Sequence, residues 1–279
     1  MKILVTGASG QLGQDLVEAF EKNWEVVPTD QDNLDITNPA QVEAVLTKEK
    51  PDWVIHAAAW TDVEACAENP EKALLINGEG TRNVALAAKK IGAKMIYIST
   101  NEVFDGKKKV PYVEADKPNP INPYGVSKLA GEKYTQEILG KDSLIVRTAW
   151  LYGSGSRINF PSKILDRAKR GALEVVDDEI STPTYAQDLA KWIKELVARN
   201  ESGVFHLVNN GSASRYDWAE QIVADKRLEV SLKRSRLADY RRLSSPPKYS
   251  VLSNKKAKVL KLKMRSWQEA SQEYLSTFD

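Results

Sequence analysis

The chain opens with a strand, a glycine turn and a helix in immediate succession, an order that few folds admit. Lys2-Ile3-Leu4-Val5-Thr6 is a short apolar run rich in branched residues, the pattern of a strand buried on both faces of a parallel sheet. It runs directly into Gly7-Ala8-Ser9-Gly10-Gln11-Leu12-Gly13, and a helical pattern follows from Gln14 to Lys22. In that setting the glycines have a physical task. They let the backbone approach a pyrophosphate closely, while the helix N-terminus offers free N–H groups and the positive end of its dipole. Gly7, Gly10, Gln11, Leu12 and Gly13 are therefore expected to bind a dinucleotide.

The next segments bring further groups to the same crevice. Glu25-Val26-Val27-Pro28-Thr29 reads as a second strand ending at Asp30, placed to meet the adenosine ribose hydroxyls and to disfavour a 2′-phosphate. Thr37 or Asn38 caps a helix that runs to Lys50, with Pro39 suited to its first turn. Trp53-Val54-Ile55-His56 is a third strand, and Ala57, Ala58 and Ala59 at its exit leave room for a cofactor against the backbone. A helix from Pro70 to Ile91 carries Asn77 and leads to a fourth strand, Lys94 to Ile98, which delivers Ser99 and Thr100. The fold expected is α/β, a Rossmann-type doubly wound parallel sheet.

Chemistry enters with Tyr124-Gly125-Val126-Ser127-Lys128. On a helix, residues four apart share a face, so the phenol and the ammonium are neighbours. A phenol titrates near pH 10 in water, and a nearby ammonium favours phenolate. Lys128 is thus expected to lower the pKa of Tyr124 and make it a general acid/base.

The Gly-x-x-Gly-x-x-Gly spacing followed by Tyr-x-x-x-Lys resembles the extended short-chain dehydrogenase/reductase family. Within it the chain is similar to the dTDP-4-dehydrorhamnose reductases. The likeness rests on Val5 to Gly13, Leu34-Asp35-Ile36-Thr37, His56-Ala57-Ala58-Ala59-Trp60-Thr61, Ser99-Thr100 with Val103-Phe104-Asp105-Gly106, and Asn122 to Glu132. It continues in Val146 to Gly153, Thr182-Pro183-Thr184 and Pro247 to Leu252, so it spans nearly the whole length and is weakest after Val223. The resemblance implies NADPH or NADH as cofactor and a nucleotide sugar as substrate. It implies that Asp35 and Ile36 border the adenine, and that Tyr124 donates a proton to the sugar O4 as hydride reaches C4. Lys128 would hold the nicotinamide ribose, Thr100 would hydrogen-bond the reacting oxygen, and Trp150 would lie beside the sugar nucleotide. Asn101 falls among the expected substrate-binding residues.

The chain departs from that pattern on the substrate side. Thr100-Asn101-Glu102-Val103 stands where the family usually has Thr-Asp-Tyr-Val, Pro246 where it generally has an arginine, and Glu179 and Ser181 where it has glutamine and glycine. Glu102 gives the chain a partial likeness to nucleotide-sugar 4,6-dehydratases, so an NAD-retaining dehydratase or epimerase is an alternative. A non-catalytic regulatory subunit of the same fold is another.

The rest of the sequence sets the frame. With 279 residues and 42% hydrophobic content the chain suits one large domain, or a domain with a smaller lobe. A fifth strand is expected at Ser143 to Thr148, a helix around Ile158 to Arg170, a short strand at Leu173 to Val176, a helix from Tyr185 to Arg199, and a strand at Gly203 to Val208. This gives a dinucleotide-binding domain over 1–152 with a return at about 185–208, and a smaller α/β substrate lobe from 153–184 and 209–279. His56 and His206 read as packed structural histidines and Cys66 as a small buried filler; no metal-ligand spacing occurs, and no metal is expected. The single cysteine, the net charge of +2 and the lack of a long apolar run point to a cytoplasmic protein that binds neither nucleic acid nor membrane. The sequence leaves room for a homodimer. Between Lys226 and Arg265 basic residues outnumber acids, and Lys233, Arg234, Arg236, Arg241 and Arg242 are candidates for neutralising a diphosphate.

Overall fold

Strand β1 (Lys2–Thr6) lies one strand in from the edge of a six-stranded parallel sheet in a computed structural model of the chain, which describes residues 1–155 and 158–278. With β2 (Glu25–Thr29), β3 (Trp53–His56), β4 (Lys94–Thr100), β5 (Ser143–Thr148) and β6 (Gly203–His206), the order is β6-β5-β4-β3-β1-β2. The chain moves outward from β1 to β2 and then returns to place β3 on the other side of β1. That reversal opens the crevice where such sheets bind ligands.

Both faces of the sheet are covered, which is why the strands read as continuous apolar runs. Helices α1 (Gln11–Glu21) and α5 (Ala186–Ala198) pack Leu12, Leu16, Phe20, Leu189, Ile193 and Leu196 onto Ile3, Val5, Ile55, Ile96 and Val146. Helices α2 (Pro39–Glu49), α3 (Thr81–Ile91) and α4 (Pro123–Leu139) serve the opposite face, where Val42, Leu46, Val84 and Leu139 meet Leu4, Val54, Met95, Tyr97 and Ile145. Successive strand residues alternate between the two cores, as the pleat requires.

Two elements differ from expectation. Helix α1 begins at Gln11, three residues early, because Gly10 is its N-cap and the glycine turn becomes the first helical turn. The helix expected from Pro70 to Ile91 is helical throughout but widens over Leu74–Gly80 into π-type turns. Such turns are uncommon and cluster at functional sites; here they carry Asn77, whose side chain is bonded to both backbone groups of Trp60 and to the Ser127 hydroxyl. The fifth strand and α5 fall where they were expected, as does Asn38 as cap of α2.

Beyond β5 a second core forms around Tyr152, Tyr185, Trp218, Trp267 and Tyr274, with helices Phe160–Ala168, Arg215–Asp225 and Trp267–Leu275 around it. Leu173–Val176 pairs in parallel with Leu232–Ser235, a strand with no signal in the sequence. Assigning all of 209–279 to this lobe is too simple, because Ala257, Leu262 and Met264 pack into the core under α1 and α5. Among the described residues no helix is long and apolar enough to cross a membrane.

Candidate active site

The coenzyme side is made mostly of backbone. Gly7 has φ +68°, and a Cβ there would stand 2.8 Å from both N and Cα of Ala58, so the exits of β1 and β3 touch. A Cβ on Gly13 would run into the carbonyl oxygen of Gly7. The Ser9 N–H donates to both Asp30 carboxylate oxygens, at 3.1 and 2.9 Å, which fixes the acid beside the turn. Asp30, Asp35, Ile36 and Ala58 line a cavity of about 620 Å³. Its acids face one cation, Lys72, whose Nζ lies 4.8 Å from the Trp60 ring centre.

A second cavity of about 550 Å³ continues from the first, and the two share Gly7, Gly10, Ala57 and Ala59. Gln11, Leu12 and Gly13 line it on one side, and Thr100, Asn101, Tyr124, Lys128 and Trp150 on the other. Every motif residue expected at the cofactor or the reacting centre, and Asn101 and Trp150 on the substrate side, therefore lines one of these two spaces.

Helix α4 presents the candidate catalytic pair, Tyr124 and Lys128. The Asn122 side chain accepts from the Gly125 N–H at 2.8 Å and caps the helix, with Pro123 in its first turn. Unlike α1 and α5, α4 buries a polar face that includes Ser127, Lys128, Glu132 and Thr135. Lys128 is 3% exposed, with Nζ 4.2 Å above the Tyr97 ring. Burial lowers its pKa to about 7, and the Glu132 charge pulls the other way. Glu132 itself is clamped: Arg147 donates to it at 2.8 and 2.7 Å, and Ser99 at 2.5 Å.

The expectation that Lys128 lowers the Tyr124 pKa needs correction. Burial pushes the phenol well above its ordinary value, the Glu102 charge adds to this, and only the hydrogen bond with Thr100 opposes it. The Lys128 charge is not among the influences that move the phenol's titration. Tyr124 is thus a protonated donor at neutral pH. His56 is the packed neutral residue expected, bonded to Thr6 at 2.7 Å and Thr81 at 3.1 Å, with its pKa lowered by burial to about 3. Burial likewise holds His206 at about 3, and it pushes the Cys66 thiol up to about 11.

On the substrate side the site is built from side chains distant in sequence. Glu102 accepts from Asn122 Nδ2 at 2.6 Å, and burial raises its pKa to about 7. Asn101 donates to Ser250 at 2.6 Å and Ser181 at 3.3 Å, so two of the departures from the family pattern, Asn101 and Ser181, answer each other. Trp150 has φ +42°, a strained backbone for a bulky residue and of a kind found at functional sites. Arg215 stacks on it, 3.6 Å from guanidinium to ring centre, and donates to Glu179 at 3.1 Å.

A third cavity of about 500 Å³ joins the second through Trp150, Leu151 and Arg215 and is lined further by Phe160, Lys163, Trp218 and Arg242. Of the five basic candidates, Arg242 reaches this space and Arg241 the neighbouring one. Arg234 and Arg236 are instead paired with Asp177, and Lys233 lies in the peripheral strand Leu232–Ser235. Sequence reading missed Arg215, which no motif marks. It also missed Asn122 as a cap, although Asn-Pro ahead of a helix is a visible signal.

The whole chain, residues 1–279, matches the family model described as RmlD substrate binding domain. It is 37% identical over 276 residues to the spore coat polysaccharide biosynthesis protein SpsK of Bacillus subtilis, covering 98% of this chain and 96% of that protein. Its fold superposes on the crystal structure of a dTDP-4-dehydrorhamnose reductase from Clostridium acetobutylicum with a TM-score of 0.96 at 39% identity, covering 99% of both chains. A dTDP-4-dehydrorhamnose reductase from Bacillus anthracis, crystallised with NADP, gives 0.95 at 36% identity and 99% coverage of both. With the glycine turn, Tyr124 and Lys128 gathered at the switch point of a parallel sheet, the chain belongs to the dTDP-4-dehydrorhamnose reductase family of extended short-chain dehydrogenases/reductases.

Proposed function

We propose that the protein reduces the C4 ketone of a dTDP-linked 4-dehydro-6-deoxy sugar with NADPH or NADH, converting dTDP-4-dehydro-β-L-rhamnose to dTDP-L-rhamnose. The observation that carries this reading is that one cavity holds the glycine turn together with Tyr124, Lys128 and Thr100. Gly10, Gln11 and Leu12 receive the coenzyme diphosphate, and Asp30, Asp35, Ile36 and Ala58 the adenosine. The bound reduced nicotinamide supplies the hydride.

The chain's own residues govern the proton. As the ketone carbon is reduced, its oxygen becomes a far stronger base than a phenolate. Tyr124, which keeps its proton at neutral pH, gives it up there. Thr100 turns its hydroxyl from Asn101 to the same oxygen and makes a donor pair. Charged Lys128 holds the nicotinamide ribose, and protonated Glu102 leaves the phenolate at Tyr124 unopposed. Ionised Glu102 acts the opposite way, so turnover is favoured with Glu102 protonated and Lys128 charged. Arg215 and Arg242 take the sugar nucleotide's diphosphate through charge-assisted hydrogen bonds, and Trp150 offers its face to the sugar.

The dehydratase reading gains no support. It needs an acid where Asn101 stands, and that amide is already committed to Ser250 and Ser181. The test is to incubate purified protein with dTDP-4-dehydrorhamnose and each reduced coenzyme in turn. One coenzyme should be oxidised for each sugar reduced, with the product identified by mass and configuration. A dehydratase cycles its nicotinamide internally, so product without net coenzyme consumption would sink the proposal.

A further inference from the structure

Thr148 ends β5, and its Cα stands in register with that of Thr100 at the end of β4, so two threonines sit side by side on the floor of the catalytic cavity. Their hydroxyls are in different states. Thr100 Oγ1 donates to Asn101 Oδ1 and accepts from the Glu102 N–H, both at 3.2 Å. Thr148 is 6% exposed, and its hydroxyl oxygen is buried with no hydrogen-bond partner among the described residues. Five other residues have buried side-chain oxygens in that condition: Asp15, Tyr152, Asp177, Asp225 and Ser244. None of those five lines this cavity. Buried hydroxyls are almost always paired in folded proteins, so an orphan beside a ligand cavity calls for a partner that arrives with the ligand. Staggered χ1 wells are the ordinary states of a threonine, so the hydroxyl is free to turn to such a partner.

The rest of the cavity narrows the choice of partner. The coenzyme's diphosphate belongs at the glycine turn, its adenosine in the first cavity and its second ribose at Lys128. The nicotinamide ring must then lie over the ends of β4 and β5, within reach of Tyr124 and Thr100. The ring's one polar substituent, a carboxamide, is attached to the carbon beside the hydride-bearing one. We infer that the Thr148 hydroxyl hydrogen-bonds the nicotinamide carboxamide and so fixes which face of the ring meets the ketone. The inference rests on the coenzyme assignment of the preceding section and extends it to a residue with no assigned role.

Equilibrium binding separates the two. ADP-ribose carries every part of NADH except the nicotinamide. In Thr148→Val the dissociation constant for NADH, read by fluorescence titration, should rise about three- to tenfold, the effect of one neutral hydrogen bond. The constant for ADP-ribose should stay within about twofold, Thr148→Ser should recover NADH affinity, and the ligand-free variant should melt no lower than the parent. Unchanged NADH affinity, an equal loss for ADP-ribose, or a lower melting temperature of the ligand-free variant would each overturn the inference. Failure of ADP-ribose to bind the parent protein would instead overturn the coenzyme assignment, and this inference with it.

Discussion

The two halves of the site are built by different means. The coenzyme half is a backbone surface, in which Gly7 and Gly13 allow close approaches that no side chain would permit and strand ends present alanines. The substrate half is a side-chain lattice: Asn122 to Glu102, Asn101 to Ser181 and Ser250, and Arg215 to Glu179 and Trp150. A backbone surface tolerates little change. A lattice of buried polar groups can be rewired, as the answering changes at Asn101 and Ser181 suggest, and it titrates. The first half should therefore respond to substitution through coenzyme affinity alone, and the second through substrate affinity and pH.

The contrast breaks most visibly at Tyr124, which serves both halves. Tyr124→Phe removes the proton donor and should lower kcat by about 10²- to 10⁴-fold with coenzyme affinity nearly unchanged, as steady-state rates and binding titration would reveal. Next in size is Arg215→Met, which removes the proposed partner of the diphosphate and leaves Glu179 buried alone. The KM for the sugar nucleotide should rise roughly 10- to 100-fold, while the coenzyme dissociation constant moves less than about twofold. Gly7→Ala should do the converse, weakening coenzyme by about tenfold through strain at positive φ and contact with Ala58, with dTDP affinity intact. A mutant of either half that damaged both affinities equally would erase the distinction.

Smaller effects concern pH. Lys128 is lowered and Glu102 raised to about 7, so the competent form, with the lysine charged and the carboxyl protonated, is depleted as pH rises through 7. The kcat/KM, which reports the free enzyme, should fall on the alkaline side of about 7. Stability follows the same groups. Glu102 binds its proton more tightly folded than unfolded, so its contribution is favourable at low pH and lost as pH rises from its unfolded value toward about 7. Glu102→Gln should consequently raise the melting temperature more at about pH 8 than at about pH 5. Equal shifts at both would show that the carboxyl is not held protonated.

The same contrast explains what could be read from the sequence. The glycine turn, the three alanines and Tyr-x-x-x-Lys act through local spacing, so residues near in sequence reveal them. Helix α4 could be placed, but the direction of the Tyr124 shift could not, because it depends on burial and on Glu102 across the cavity. Arg215 and Thr148 were invisible for a related reason: one is defined by stacking on Trp150 across 65 positions, the other by what it fails to touch. The basic stretch after Lys226 misled in part, since composition does not tell a cation aimed at a cavity from one paired with Asp177. The strand Leu232–Ser235 was missed because two of its four residues are basic and its pattern is not apolar.

The central claim is direct transfer of hydride to C4 with a proton from Tyr124. It is tested most directly by running the reaction with reduced coenzyme deuterated at the transferring carbon and locating the label. The account predicts one deuterium at C4 of the 6-deoxy sugar for each coenzyme oxidised, and almost no product from Tyr124→Phe. Deuterium at any other carbon, or product formed while the coenzyme stays reduced, would contradict it.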